Sequence, residues 1–217
     1  MGNMLAKLPK PLDQEQVMNA LDAAFRAAVN GLPGQKSCEE IAAEYLERHR
    51  DVDVAVKKFT TNQANVCGAS GFVTTLGGLP TMAVTLPANI ASVAYVQLRM
   101  IAVIAAMGGY DVHDDAVQSL IYVCMVGMSV VDVMKDAGVS IGNKLSLNAI
   151  KRIPGEALIR INQKVGFRFL TKFGEKGVVN LGKMIPVVGG IIGGGVDLFG
   201  ARIVAKRAYK MFILEDQ

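Results

Sequence analysis

The sequence predicts an all-α fold, a single-domain bundle of about seven or eight helices around a central apolar helical hairpin. Three observations lead there. Apolar residues recur at three- and four-residue spacing over most of the 217 residues, and helix-start and helix-stop residues bracket those runs. No sustained period-two run bounded by hairpin turns occurs. Hydrophobic residues make up 51% of the chain, and charged residues reach only 19%, below the roughly 25% of an average domain. That balance excludes a disordered chain, which needs low hydrophobicity and high net charge. Two physical options remain: a greasy helical core, or contact with lipid.

The elements follow in order after an N-terminal tail over 1–12. Asp13 is placed as an N-cap with Gln16 three residues on, a capping box, and Leu12 can staple onto Val17. Val17, Leu21, Ala24, Phe25 and Ala28 hold helical spacing until Asn30-Gly31 and Pro33 end it. Ser37 and Glu40 form a second capping box, opening a helix through Ile41, Tyr45 and Leu46. A third helix begins near Asp53 and runs past Phe59 and Val66 to the glycines at 68 and 71.

From Phe59 to Leu98 no residue is charged, yet glycines and prolines interrupt the run. A long helix starts at Pro87, whose fixed φ suits a first helical position, and ends at Gly108-Gly109. After an Asp-rich turn a second apolar helix is expected from Ala116 to about Met134, closed by Gly138. Further helices are expected at roughly 140–152, 155–173 and 196–214.

Each helix of the 87–134 hairpin has the length of a bilayer span, about 20 residues. Against insertion stand Asn89, Gln97 and Arg99 in the first helix and Gln118 and Asp132 in the second. A mid-helix arginine costs roughly 2.5–3.5 kcal/mol on insertion scales. Across the hairpin, Arg99 faces Tyr122-Val123-Cys124, with no carboxylate. A buried hairpin is therefore preferred over an embedded one. Since buried charges persist only when paired, Arg99 is expected to pair with Asp197, the other isolated charge in an apolar run.

The net charge of +4 conceals an asymmetry. Residues 1–143 carry 10 Lys/Arg against 14 Asp/Glu, and residues 144–217 carry 13 against 5. A basic C-terminal third points to a phosphate-bearing partner. Arg160, Lys164, Arg168 and Lys172 recur every four residues beside an apolar ladder of Ala157, Ile161, Val165, Phe169 and Phe173. Such a segment can lie on an anionic membrane and engage head groups. At about 100° per residue the two ladders overlap rather than oppose, so a solvated face with snorkelling basic stems is the competing reading. Nucleic acid is disfavoured: no helix-turn-helix, zinc finger or RNP-like aromatic signature is present.

The glycine pairs Gly189/Gly193 and Gly190/Gly194 have GxxxG spacing, read as close helix packing. The uncharged run there is too short to span a bilayer, and no GK[ST] ending or preceding strand makes it a nucleotide loop. His113, beside Asp114 and Asp115, is a candidate base, but carboxylates at a helix start need no catalytic role. No metal-ligand spacing, cofactor motif or catalytic residue set is found. Cys38, Cys67 and Cys124 read as buried free thiols of a reducing cytosol.

Several stretches together resemble the EcsC-like bacterial proteins. They are Gly71-Phe72-Val73-Thr74-Thr75-Leu76-Gly77-Gly78-Leu79, Leu86-Pro87-Ala88-Asn89-Ile90, Gln97-Leu98-Arg99-Met100 and Gly108-Gly109-Tyr110-Asp111. The ending, Lys183-Met184-Ile185-Pro186-Val187-Val188-Gly189-Gly190-Ile191-Ile192-Gly193 with Asp197 and Arg202, belongs to the same pattern. The resemblance covers about residues 15–214 and makes 13–214 an EcsC-like helical domain. That family is named after a gene beside an ABC transporter, so the resemblance implies a membrane transporter component as a protein partner. A peptidase role has been suggested for the family, but the matching residues include no nucleophile–base pair.

The functional expectation is a non-enzymatic helical protein, cytoplasmic and peripheral at the bacterial inner membrane, binding anionic lipid through the basic C-terminal third. A hydrolase or peptidase using the His113 turn is the first alternative. A lipid carrier holding an acyl chain in the apolar centre is the second.

Overall fold

The computed structural model describes residues 13–69, 88–136, 138, 147–173 and 192–214. Every element among them is helical. We label them α1 (Gln14–Asn30), α2 (Cys38–His49), α3 (Val52–Ala69), α4 (Ala88–Met107), α5 (Asp115–Val126), α6 (Val130–Asp136), the single turn α7 (Leu147–Ile150), α8 (Gly155–Phe173) and α9 (Ile192–Phe212).

The first two helices begin where their caps dictate. The Asp13 carboxylate accepts from the Gln16 amide at 2.8 Å, and the Gln16 side chain accepts from the Asp13 amide at 3.2 Å. Ser37 and Glu40 repeat the arrangement at the head of α2. Each box satisfies two amides that the first helical turn would otherwise leave unpaired. Leu12, the expected staple, lies outside the described residues.

The apolar hairpin is the centre of the bundle. From Ala94 to Met107 nearly every side chain of α4 is buried, and along α5 burial runs from Ala116 to Val126 except at Gln118. α4 is packed by α1, α2, α3, α5 and α9, and α5 also by α8. The apolar surplus is thus covered by protein over these residues. No helix among the described residues is long and apolar enough to cross a membrane.

Two polar side chains of α5 inside this centre are tied to α1. The Tyr122 hydroxyl, at the end of a fully buried side chain, donates to Asp22 of α1 at 2.7 Å, and the Gln118 amide donates to the same carboxylate at 3.0 Å. Burial, reinforced by the Asp22 charge, holds the Tyr122 hydroxyl protonated well above the usual range.

The second apolar helix differs from its sequence expectation. It does not run unbroken from 116 to 134 but ends at Val126, and α6 restarts at Val130. Gly127 adopts a left-handed conformation, φ +75°, and its amide caps the Val123 and Cys124 carbonyls. The Ser129 hydroxyl then accepts from the Asp132 amide to open α6. The Arg207 guanidinium of α9 lies over Gly127, in space that a β-carbon would enter. Of the segment expected at 140–152 only the turn 147–150 is a described helix, whereas α8 matches 155–173 and α9 starts about one turn before residue 196.

Cys38 and Cys124 are free and buried, as their apolar setting predicts, while the Cys67 side chain lies outside the described residues. The Cys38 thiol donates to the Ala28 carbonyl at 3.2 Å. Burial pushes both thiols up to about 12, from an ordinary value of 9. Alkylation at mildly alkaline pH should therefore spare Cys38 and Cys124 in the folded protein and modify both in guanidinium, as read by peptide mass spectrometry. Modification of either in the native state would contradict the burial. The sign of the linked pH effect follows. Below pH 9 both states keep the proton; between 9 and about 12 only the unfolded thiols ionise. Stability falls there by about 1.4 kcal/mol per pH unit for each thiol.

Candidate functional site

The basic ladder sits on α8, and the wheel of this helix decides what it offers. Ala157, Ile161, Val165 and Phe169 are buried; α8 packs on α1, α5 and α6. The apolar ladder is therefore core rather than membrane-facing. On the outer side, at i, i+4 and i+8, stand Ile159, Gln163 and Phe167. Ile159 is 60% exposed and Phe167 65%, the most exposed large apolar side chains of this helix among the described residues.

The cations flank that outer row. Arg160 lies 3.9 Å from Glu156 on the same helix, and Lys164 is held at 2.5 Å by Asp136 of α6. Arg168 is exposed and has no ion-pair partner among the described residues. The Lys172 side chain lies outside them. Two of the four expected head-group residues are thus engaged by carboxylates, and the Lys164 bond fastens α6 to α8. Chemically the surface presents two protruding apolar side chains next to a guanidinium that has no ion-pair partner among the described residues. Sequence reading missed Ile159 and Phe167 because it followed the longer apolar ladder one face away. Their mutual spacing of eight residues is the signal that was there to be read.

The other expected residues fall as follows. Arg99 is half-buried, and its guanidinium donates to two main-chain carbonyls, Ala28 at 2.6 Å and Lys36. The side chain of Asp197, its expected partner, lies outside the described residues. Gly189 and Gly190 also lie outside them. Gly193 and Gly194 fall in the first turn of α9. The surroundings of that turn are not described.

The turn around His113 is built for structure. The His113 ring Nε2 lies 2.8 Å from Glu39 of α2, and both side chains are exposed. Asp111 accepts from the His113 amide at 2.9 Å, while Asp114 accepts from the Ala116 and Val117 amides as the N-cap of α5. His113 is thus engaged with α2, and Asp111 and Asp114 with backbone amides of the turn and the α5 cap. Comparison of the chain with protein-family models, with curated proteins and with solved structures finds no match.

Proposed function

We propose that this is a non-enzymatic helical protein of the EcsC-like kind that binds anionic lipid from the cytoplasmic side of the bacterial inner membrane. The observation that carries the reading is the outer row of α8, where Ile159 and Phe167 stand in water beside Arg168. Moving a large apolar side chain out of water yields about 1.5–3 kcal/mol, and each cation near an anionic leaflet about 1 kcal/mol. Two apolar anchors and one exposed guanidinium support weak, reversible attachment rather than permanent anchoring. Lys164 and Arg160 add to it only when lipid phosphates displace their carboxylate partners. A membrane transporter component is the protein partner that fits such a surface-bound role.

Vesicle flotation tests this. Recovery with vesicles should rise with the fraction of phosphatidylglycerol in phosphatidylcholine, fall with added salt, and drop at least fivefold in the double variant Ile159→Ser, Phe167→Ser. Both positions are exposed, so the melting temperature of that variant should match the parent. Equal flotation of variant and parent, or no flotation of either, would remove α8 as the contact surface.

A further inference from the structure

We propose that the groove between α3 and α9 is a binding site for a phosphomonoester. It is an open depression of about 410 Å³ with Lys57, Thr60 and Thr61 on one wall and Arg202 and Lys206 on the other. The walls are single helix faces: 57, 60 and 61 on α3 and 202 and 206 on α9 follow three- and four-residue spacing. Val56 and Ala205, both buried, close its floor.

The charge distribution points to the ligand class. Three cations converge on the groove, and none has an ion-pair partner among the described residues. Some cations elsewhere are answered, Lys36 and Arg48 by Glu44 and Lys164 by Asp136, and what sets the groove apart is that three unanswered ones share a single depression. The one carboxylate of the groove, Asp53, is turned to Tyr209, whose hydroxyl donates to it at 2.7 Å. Asp53 makes no ion pair with the three cations, so the lining carries three positive charges against one negative. A guanidinium binds phosphate oxygens through a two-pronged fork, and two ammonium groups add point charges around a dianion. The Thr61 hydroxyl is spent on the Lys57 carbonyl at 2.8 Å, so Thr60 is the hydroxyl left to donate. The volume exceeds that of a bare phosphate and admits the small organic group it esterifies.

The same chemistry is carried by a soluble phosphorylated metabolite and by the head group of phosphatidic acid. Isothermal titration with glycerol 3-phosphate, with glycerol as the neutral control, tests the first source. Flotation with phosphatidylcholine vesicles containing phosphatidic acid, compared at equal charge with phosphatidylglycerol, tests the second. The flotation is run on the Ile159→Ser, Phe167→Ser background, which separates the groove from the α8 surface. Binding of glycerol 3-phosphate assigns a soluble ligand; a preference for phosphatidic acid with no soluble binding assigns the lipid. Either affinity should fall at least tenfold in Arg202→Gln, Lys206→Gln, exposed positions whose change leaves the melting temperature in place. Absence of both kinds of binding, or an unchanged affinity in that variant, overturns the proposal.

Discussion

Replacing Arg99 with alanine is expected to lower the unfolding free energy by about 3 kcal/mol. The side chain leaves the middle of α4 and reaches two carbonyls, Ala28 in the last turn of α1 and Lys36 just before the Ser37 cap of α2. One guanidinium thus bolts the α1–α2 connection onto the central helix. Hydrogen bonds from a charged donor are worth about 1.5–3 kcal/mol each, and the Ala28 carbonyl, lying deeper, keeps only the weak Cys38 thiol donor where water replaces the guanidinium poorly. The Lys36 carbonyl lies at the surface and is rehydrated, which keeps the total below the sum of two such bonds. Lysine at 99 should recover less than half of the loss, since an ammonium lacks the fork that spans both oxygens. Urea unfolding measures both variants. A loss under about 0.5 kcal/mol for Arg99→Ala would place it with ordinary surface changes and refute the bolt.

Gly108→Val should cost at least as much. Gly108 follows the end of α4, and a β-carbon there would fall inside van der Waals contact of the Phe212 carbonyl oxygen, at the end of α9. A helical carbonyl cannot swing aside as a side chain can. The last turn of α9 must shift, and with it the edge contact between Tyr110 and Phe212, whose ring centroids are 5.1 Å apart. Overpacking of this kind costs about 1–3 kcal/mol in tight interiors, and a branched side chain against backbone sits at the upper end. Because the protein has no Trp and 5 Tyr, near-ultraviolet circular dichroism should register the displaced Tyr110 directly. Gly155→Ala is the control: nothing lies within 4 Å of its β-carbon position, and stability should change by less than about 0.5 kcal/mol. Equal stability of the two variants would show that α4 and α9 do not meet so closely.

What could be read from the sequence was local. The boxes at Asp13–Gln16 and Ser37–Glu40, and the extent of α8, rest on residues within one or two helical turns of each other. The missed features were set by distant neighbours. The apolar pattern from 116 to 134 continues through Gly127, and the guanidinium lying over the break comes from Arg207, 80 positions later. The two carbonyls that Arg99 reaches, Ala28 and Lys36, were not legible because side-chain patterns reveal no main-chain acceptors. Ile159 and Phe167 read as two more apolar residues on an amphipathic helix until α1, α5 and α6 defined which side was inward. The groove is less legible still. Lys57 and Lys206 stand almost 150 residues apart, and only the packing of α3 on α9 brings them to one depression.

The central place of α4 has a consequence for how the chain is made. α1 and α2 leave the ribosome before the helix that covers them. Nearly 80 residues separate the end of α1 from the end of α4, about 4–15 s of synthesis at ~5–20 residues per second. During that interval α1, with Val17, Leu21 and Phe25, lacks α4 and has only α2 of its described helical partners, and α8, which also packs on α1, follows later still. The nascent chain therefore passes through a stage with a sticky amphipathic helix in water. Slow translation of the first hundred residues is expected to raise co-translational aggregation.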